Sequence, residues 1–139
     1  MDLFVYGTLM VPEIIFAVCR HRGPGQPATL LGYHRRRVID EAYPAITRCA
    51  GEQVQGICYS GLSSAQGRLL DTFEGDMYQR QTVSVRTAMG EQLAEAYVLA
   101  PHARSQLSNE PWSLESFMAT QLDDFVRNYT GFSALPAEE

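Results

Sequence analysis

Two short segments contain the residues whose types and spacing are best suited to chemistry. The first follows an apolar run at the start of the chain and is called here the YGTL turn, Tyr6-Gly7-Thr8-Leu9. Pro12, which suits the first position of a helix, comes shortly afterwards. A strand-to-helix turn with a glycine presents consecutive backbone N–H groups to one point, near the positive end of the helix dipole. The turn is therefore predicted to hold a carboxylate or an oxyanion, and a plain tight turn is the alternative.

The second segment is the acidic end of a predicted helix, Leu70-Asp71-Thr72-Phe73-Glu74-Gly75-Asp76. Glu74 follows Leu70 by four residues and therefore lies near the buried stripe of this helix. The negative end of the helix dipole and the charges of Asp71 and Asp76 are expected to raise the pKa of Glu74. Such a carboxyl suits a general base near neutral pH, and the alternative is a solvated acidic helix end.

Other reactive residue types give weaker indications. The triplet Arg35 to Arg37 lies in a strand pattern and is interpreted as a solvated strand face. Arg80 can pair with an acidic group either near the site or on the surface. Cys19 and His21 are two residues apart on a helix and do not face each other, so no Cys–His nucleophile is expected. Four tyrosines are interpreted as half-buried core or rim residues: Tyr43, Tyr59, Tyr78 and Tyr97.

Composition and charge exclude several classes of function. The 139 residues have a net charge of −5 and include 11 basic residues, all arginine, which argues against non-specific nucleic-acid binding. The lack of lysine excludes P-loop, Schiff-base and pyridoxal chemistry from this chain alone. No metal-ligand spacing is found, and three cysteines without a CxxC pair predict a reducing, cytoplasmic location. Neither a signal peptide nor an apolar run of the ~18 residues that span a membrane is found.

Apolar periodicity and turn residues predict the elements that position these segments. Ser63 and Gln66 match a helix capping box, and Gly75 is expected as a left-handed helix cap. Few helices and closely spaced strands predict an α+β fold, a mixed, mostly antiparallel β-barrel with flanking α-helices. We expect one domain over residues 1–139, with a barrel core of about 1–100 and a C-terminal helix of about 111–129. The predicted strands cover residues 3–6, 28–40 with a kink at Gly32, 43–46, 54–59, 81–86 and 93–99.

The ordered motifs resemble the γ-glutamylcyclotransferase-like superfamily. The run from Phe4 to Leu9 resembles its opening signature, and the run from Leu70 to Arg80 resembles its second signature. The tail from Glu110 is similar to the plant avirulence-induced branch, AIG2-like, rather than to the compact γ-glutamylamine cyclotransferases. Three further motifs stand between the signatures in the expected order: Leu31-Gly32-Tyr33, Tyr43-Pro44-Ala45-Ile46 and Val54-Gln55-Gly56.

This resemblance implies an activity and a set of site residues. It implies that 5-oxoproline and a free amine are released from a γ-glutamyl amide, without metal or cofactor, in a pocket at the YGTL turn. Glu74 falls on the family's catalytic residue and is implied as general acid and base. The substrate-binding residues implied are Tyr6, Gly7, Thr8, Leu9 and, on a late strand, Tyr97. The implied partner is a small γ-glutamyl substrate, not a nucleic acid or membrane, and the protein is expected to be a monomer or a homodimer.

Two alternatives to catalysis remain from the sequence. The same pocket can serve a binding module that holds a small carboxylated metabolite without reaction. A structural domain, dimeric through its C-terminal helix, is the other alternative, and a pocket filled by side chains would favour it.

Overall fold

The computed structural model describes residues 1–127 of the chain. Its strands are β1 (Leu3–Val5), β2 (Gly25–Arg37), β3 (Pro44–Tyr59), β4 (Tyr78–Thr87) and β5 (Gly90–Leu99). They close into a barrel in the order β1-β3-β2-β4-β5. Neighbouring strands pair antiparallel except β1 and β5, which are parallel. The predicted α+β class, a mixed and mostly antiparallel barrel with flanking helices, is therefore confirmed.

Flanking the barrel within residues 1–127 are the helices α1 (Pro12–Cys19), α2 (Ser64–Glu74) and α3 (Leu114–Thr120), and a further helical stretch follows α3. The predicted capping box is present at the start of α2, because the Ser63 hydroxyl accepts from the Gln66 N–H and the Gln66 side chain accepts from the Ser63 N–H. Gly75 ends α2 with φ 78° and ψ −168°. This is not the predicted left-handed cap but another region that is open almost only to glycine.

The β2–β3 hairpin is longer than the sequence predicts. The turn residues predict a separate edge segment at 43–46, but Pro44 to Ile46 instead open β3. β3 pairs with β2 on both sides of the kink in β2, through residues 53–59 on one side and residues 44–48 on the other. That kink is confirmed at Gly32, where the register shifts between Leu31 and Tyr33 and the glycine has a φ of +84°.

The predicted C-terminal helix from Pro111 to Tyr129 is shorter and interrupted. α3 begins after Ser113, whose hydroxyl accepts a hydrogen bond from the Ser116 N–H and thereby caps the helix. Gln121 leaves helical geometry, and residues 122–127 are again helical. Tyr129 lies outside the described residues.

The C-terminal segment belongs to the same apolar cluster as α1 and α2. Trp112 joins it to the barrel, because its indole N–H donates to the Ala42 carbonyl at 2.8 Å. The Trp112 ring packs against Phe117 with a centroid distance of 5.8 Å. The buried members of this cluster include Leu3, Ile15, Leu70, Tyr97, Phe117 and Phe125. Among residues 1–127, no helix has the length and apolar character needed to cross a membrane.

Candidate active site

A cavity of about 200 Å³ lies where β1, α2 and β5 meet. At about 30 Å³ per water it has the volume of about seven waters, which suits a small molecule. Its walls include all the residues that the sequence predicts for the site: Tyr6, Gly7, Thr8, Leu9, Glu74 and Tyr97. The cavity is also lined by residues that the sequence does not predict for the site: Phe4, Val5, Tyr43, Pro44, Phe73, Asp76, Met77, Tyr78 and Phe125.

The YGTL turn lines this cavity and contains backbone donors without a partner among residues 1–127. A 3₁₀ turn at Thr8–Met10 overlaps the YGTL turn, and α1 begins at Pro12, the residue that the sequence predicts for the first turn of the helix. The Met10 N–H donates to the Gly7 carbonyl at 3.0 Å, and the Val11 N–H donates to the Thr8 carbonyl at 3.1 Å. These bonds use the carbonyls of the turn. Within residues 1–127, the N–H groups of Gly7, Thr8 and Leu9 have no acceptor, so they remain available for a ligand oxygen.

Gly7 is required by close packing rather than by a special backbone angle. A Cβ atom at this position would lie 2.9 Å from both Cγ and Cδ of Pro44. Carbon atoms do not approach so closely without displacing one another. Any side chain at residue 7 would therefore move the turn and its N–H groups away from their present positions.

Glu74 is the last residue of α2 and is half-buried against the cavity. Burial raises the pKa of its carboxyl to about 8, and the nearby charge of Asp71 contributes. The sequence predicts the direction of this pKa shift and the contribution of Asp71, but it attributes the rest to the helix dipole and Asp76, whereas the main cause is desolvation. No other residue in the described part of the chain forms a hydrogen bond or ion pair with the Glu74 side chain.

Three tyrosines surround this carboxyl, and all three hydroxyls are hydrogen-bonded elsewhere. Tyr6 donates to the Tyr97 carbonyl at 2.5 Å, and Tyr78 donates to the Pro44 carbonyl at 2.8 Å. The Tyr97 hydroxyl donates to Asp71 at 2.6 Å. Burial, and to a lesser extent the charge of Glu74, raises the pKa of each tyrosine, so all three remain neutral phenols. The Glu74 carboxyl is thus left open to a ligand.

Asp71 is held beside the site by two partners. Arg80 Nε lies 3.0 Å from the Asp71 carboxylate. The Tyr97 hydroxyl donates a hydrogen bond to the same carboxylate. Arg80 therefore pairs with an acidic group next to the cavity, and this pair is also exposed to solvent. The pairing fixes a negative charge one helical turn before Glu74. Among residues 1–127, no group of three or more His, Cys, Asp or Glu side chains could hold a metal ion.

Tyr78 and Phe125 are cavity residues that reasoning from the sequence did not assign to the site. Tyr78 is the first residue of β4 and follows Gly75, which ends α2. Because the chain turns at Gly75, Tyr78 lies against the same cavity as Glu74. Phe125 is only 4% exposed, and its ring packs edge-on against Phe117 at 5.5 Å. The apolar spacing of the C-terminal segment predicts a buried face there. Nothing in that spacing indicates that the face closes a cavity.

This five-stranded barrel belongs to a known class of fold. A solved gamma-glutamyl cyclotransferase superposes with a TM-score of 0.65 over 96% of this chain and 86% of that chain, at 17% identity, which shows a common fold. The solution structure of an Arabidopsis thaliana protein superposes with a TM-score of 0.71 at 25% identity, over 92% of this chain and 87% of that one.

The sequence comparisons show the family itself. Residues 3–114 match the family described as gamma-glutamyl cyclotransferase, AIG2-like, and the chain belongs to this family. AIG2-like protein C of Arabidopsis thaliana is 34% identical over 127 residues, which cover 90% of this chain and 73% of that protein. The matched residues include Glu74, the YGTL turn and Tyr97, whereas Phe125 lies beyond them.

Proposed function

We propose that the protein releases 5-oxoproline and a free amine from a γ-glutamyl amide, with Glu74 as general acid and base. The observation that carries this proposal is the Glu74 carboxyl, which has no hydrogen-bond or ion-pair partner among residues 1–127 and shares a small cavity with backbone N–H groups that are unpaired in the same range. Membership of the gamma-glutamyl cyclotransferase, AIG2-like family supports the same reaction class.

The reaction needs no nucleophile from the protein. The Glu74 carboxylate takes a proton from the α-ammonium group of the substrate, and the freed amine attacks the γ-carbonyl carbon. A new C–N bond closes the five-membered ring, and the carbonyl oxygen becomes an oxyanion. Glu74 then returns the proton to the departing amine as the oxyanion collapses and the original C–N bond breaks. The second proton of the ring nitrogen passes to the released amine, which leaves as an ammonium ion. The products are 5-oxoproline and the amine, and no water is consumed.

The N–H groups of the YGTL turn bind an oxygen of the glutamyl group, either the α-carboxylate or the γ-carbonyl. Holding the flexible glutamyl arm in its attack geometry can contribute about 7–11 kcal/mol to lowering the barrier. General acid–base catalysis adds about 10²–10⁴-fold, and an oxyanion donor adds about 10²-fold or more. These contributions together are sufficient for an enzyme that uses neither metal nor covalent intermediate.

The direct test is a panel of γ-glutamyl amides whose amine portions differ in size and charge. We expect free 5-oxoproline, detected by mass spectrometry, with at least one member of the panel. A thermal-shift measurement on the same panel separates catalysis from binding alone. Stabilisation by a ligand without 5-oxoproline release would favour the binding module, and the open cavity already argues against a purely structural domain.

The pH dependence of kcat/KM is a further prediction. Because the base form of Glu74 is required and its pKa is about 8, kcat/KM should rise with pH and reach half its limit near pH 8. The measurement is initial rates at low substrate concentration between pH 6 and pH 9.5. A flat profile over this range would exclude a Glu74 base with a pKa near 8.

An Asp71→Asn variant assigns this titration to the enzyme rather than to the substrate amine. The charge of Asp71 raises the pKa of Glu74, so its removal should move the acidic limb of the profile to lower pH. The pKa of the substrate is unaffected by the variant. A limb that stays in place would belong to the substrate.

A further inference from the structure

Arg35 does not lie on a solvated strand face as the sequence predicts. It is half-buried, and its Nη1 atom donates to the Tyr6 carbonyl at 2.8 Å and to the Gln55 carbonyl at 3.0 Å. The guanidinium carbon lies 5.4 Å from the centre of the Trp112 ring. Across residues 1–127, no carboxylate lies within ion-pair distance of this cation.

A cation in this position is costly unless a negative charge is sometimes nearby. Burial lowers the pKa of Arg35, which shows that its surroundings disfavour the charged form, although an arginine stays protonated. A neutral donor could satisfy the two carbonyls without that cost. The positive charge is therefore best explained by a negative charge that arrives with a ligand.

The peptide between Tyr6 and Gly7 connects this cation to the cavity. No peptide bond among residues 1–127 is cis, so the Tyr6 carbonyl and the Gly7 N–H point in opposite directions. The carbonyl faces Arg35, which is not a cavity residue, whereas Gly7 lines the cavity. A hydrogen bond from a cation to the carbonyl polarises the peptide and strengthens its N–H as a donor.

We propose that Arg35 is a positioning residue that orients and polarises the Gly7 N–H toward the γ-carbonyl oxygen, where negative charge develops as the ring closes. Trp112 covers the guanidinium and keeps it against the peptide. This inference rests on the proposed function and adds to it a residue that does not touch the substrate. It also commits the Gly7 N–H to the oxyanion rather than to the α-carboxylate.

The test compares Arg35→Ala and Arg35→Lys with Arg36→Ala. Arg36 is the adjacent residue on β2, and within the described residues its side chain donates a hydrogen bond only to the Arg35 carbonyl, at 2.9 Å. We expect Arg35→Ala to lower kcat about 10-fold or more with KM changed less than 2-fold, because the interaction acts on developing charge. Arg35→Lys keeps the positive charge but not the planar guanidinium, so its loss of kcat should be smaller than that of Arg35→Ala. Arg36→Ala should retain the kcat of the wild-type protein.

Two further readouts separate positioning from a structural role. Guanidinium added to Arg35→Ala should recover part of kcat, and the Gly7 amide proton should move upfield in the NMR spectra of both Arg35 variants but not in Arg36→Ala. A rise in KM alone, or an unmoved Gly7 resonance, would overturn the assignment of Arg35. If the wild-type protein releases no 5-oxoproline, the proposed function fails instead, and the Gly7 resonance still tests the polarisation without any substrate.

Discussion

Replacing Glu74 by glutamine should lower the turnover of a γ-glutamyl amide by about 10²–10⁴-fold and leave the fold intact. Glutamine has nearly the same shape but cannot take the proton of the α-ammonium group or return it to the leaving amine. No hydrogen bond or ion pair with residues 1–127 is lost, because the Glu74 side chain makes none there. Full 5-oxoproline release by the purified variant would refute the role of Glu74.

The same substitution should stabilise the protein in a pH-dependent way. The pKa of Glu74 is about 8 in the folded protein, compared with an ordinary value of 4.5. Between these values the folded state binds a proton that the unfolded state has released, so the free energy of unfolding falls as pH rises. The upper limit of the slope is about 1.4 kcal/mol per pH unit. Water in the cavity screens the charge, so we expect a relative gain for the variant of about 2–3 kcal/mol between pH 5 and pH 9.

Urea unfolding of both proteins at pH 5 and pH 9 measures this gain. Burying the glutamine amide of the variant lowers the free energy of unfolding by an amount that does not depend on pH. This contribution cancels when the two pH values are compared. Glu13→Gln is a matched control, because Glu13 is an exposed residue of α1 and is not part of the cavity. We expect the same stability difference from wild type at both pH values for this control. An equal difference at both pH values for Glu74→Gln would mean that its pKa is not raised.

Gly7→Val should lower kcat/KM by at least about 10²-fold, because a displacement of about 1 Å at a reacting centre can have this effect. The added Cβ would lie 2.9 Å from two atoms of the Pro44 ring, and the valine methyl groups extend further. The turn must then move, and the N–H groups of Gly7 and Thr8 move with it. Steady-state kinetics and ligand titration measure the loss. Unchanged kinetics would leave the turn as a mere connector.

A second substitution identifies the cause of that loss. Gly7→Ala introduces only the Cβ, and Pro44→Ala removes the Cγ and Cδ atoms that it would meet. We expect the double variant to recover much of the activity that Gly7→Ala loses, so the two effects should be non-additive. Additive losses would place the cause in the backbone of the turn rather than in its contact with Pro44.

The sequence predicts the elements of this protein well where the pattern is local. The capping box at Ser63 depends on residues three apart, and the kink at Gly32 depends on one residue without a side chain. The prediction is wrong for residues 43–46, because their position in β3 depends on pairing with the far end of β2. Strand continuity is decided by the partner strand, which local composition does not indicate.

The candidate site also contains some residues that the sequence predicts and others that it does not. The YGTL turn and Glu74 were predicted from residue types, spacing and family resemblance, and both line the cavity. Tyr78, Phe125 and the contact of Arg35 with Tyr6 were not predicted. These residues come to the site from β4, the C-terminal segment and β2, which are far from the turn in the chain. Their spacing within their own elements indicates burial but not what they are buried against.

The residue types and their order were sufficient to indicate the barrel class, the donor turn and an acidic residue of raised pKa. Only the closed barrel decided that desolvation dominates the pKa of Glu74 and that its carboxyl has no partner within the described residues 1–127. Only the pairing of the strands placed Arg35 behind the Tyr6–Gly7 peptide. The physical reason is that hydrogen bonding within a turn is local, whereas burial and electrostatic environment are set by all the segments that meet around a residue.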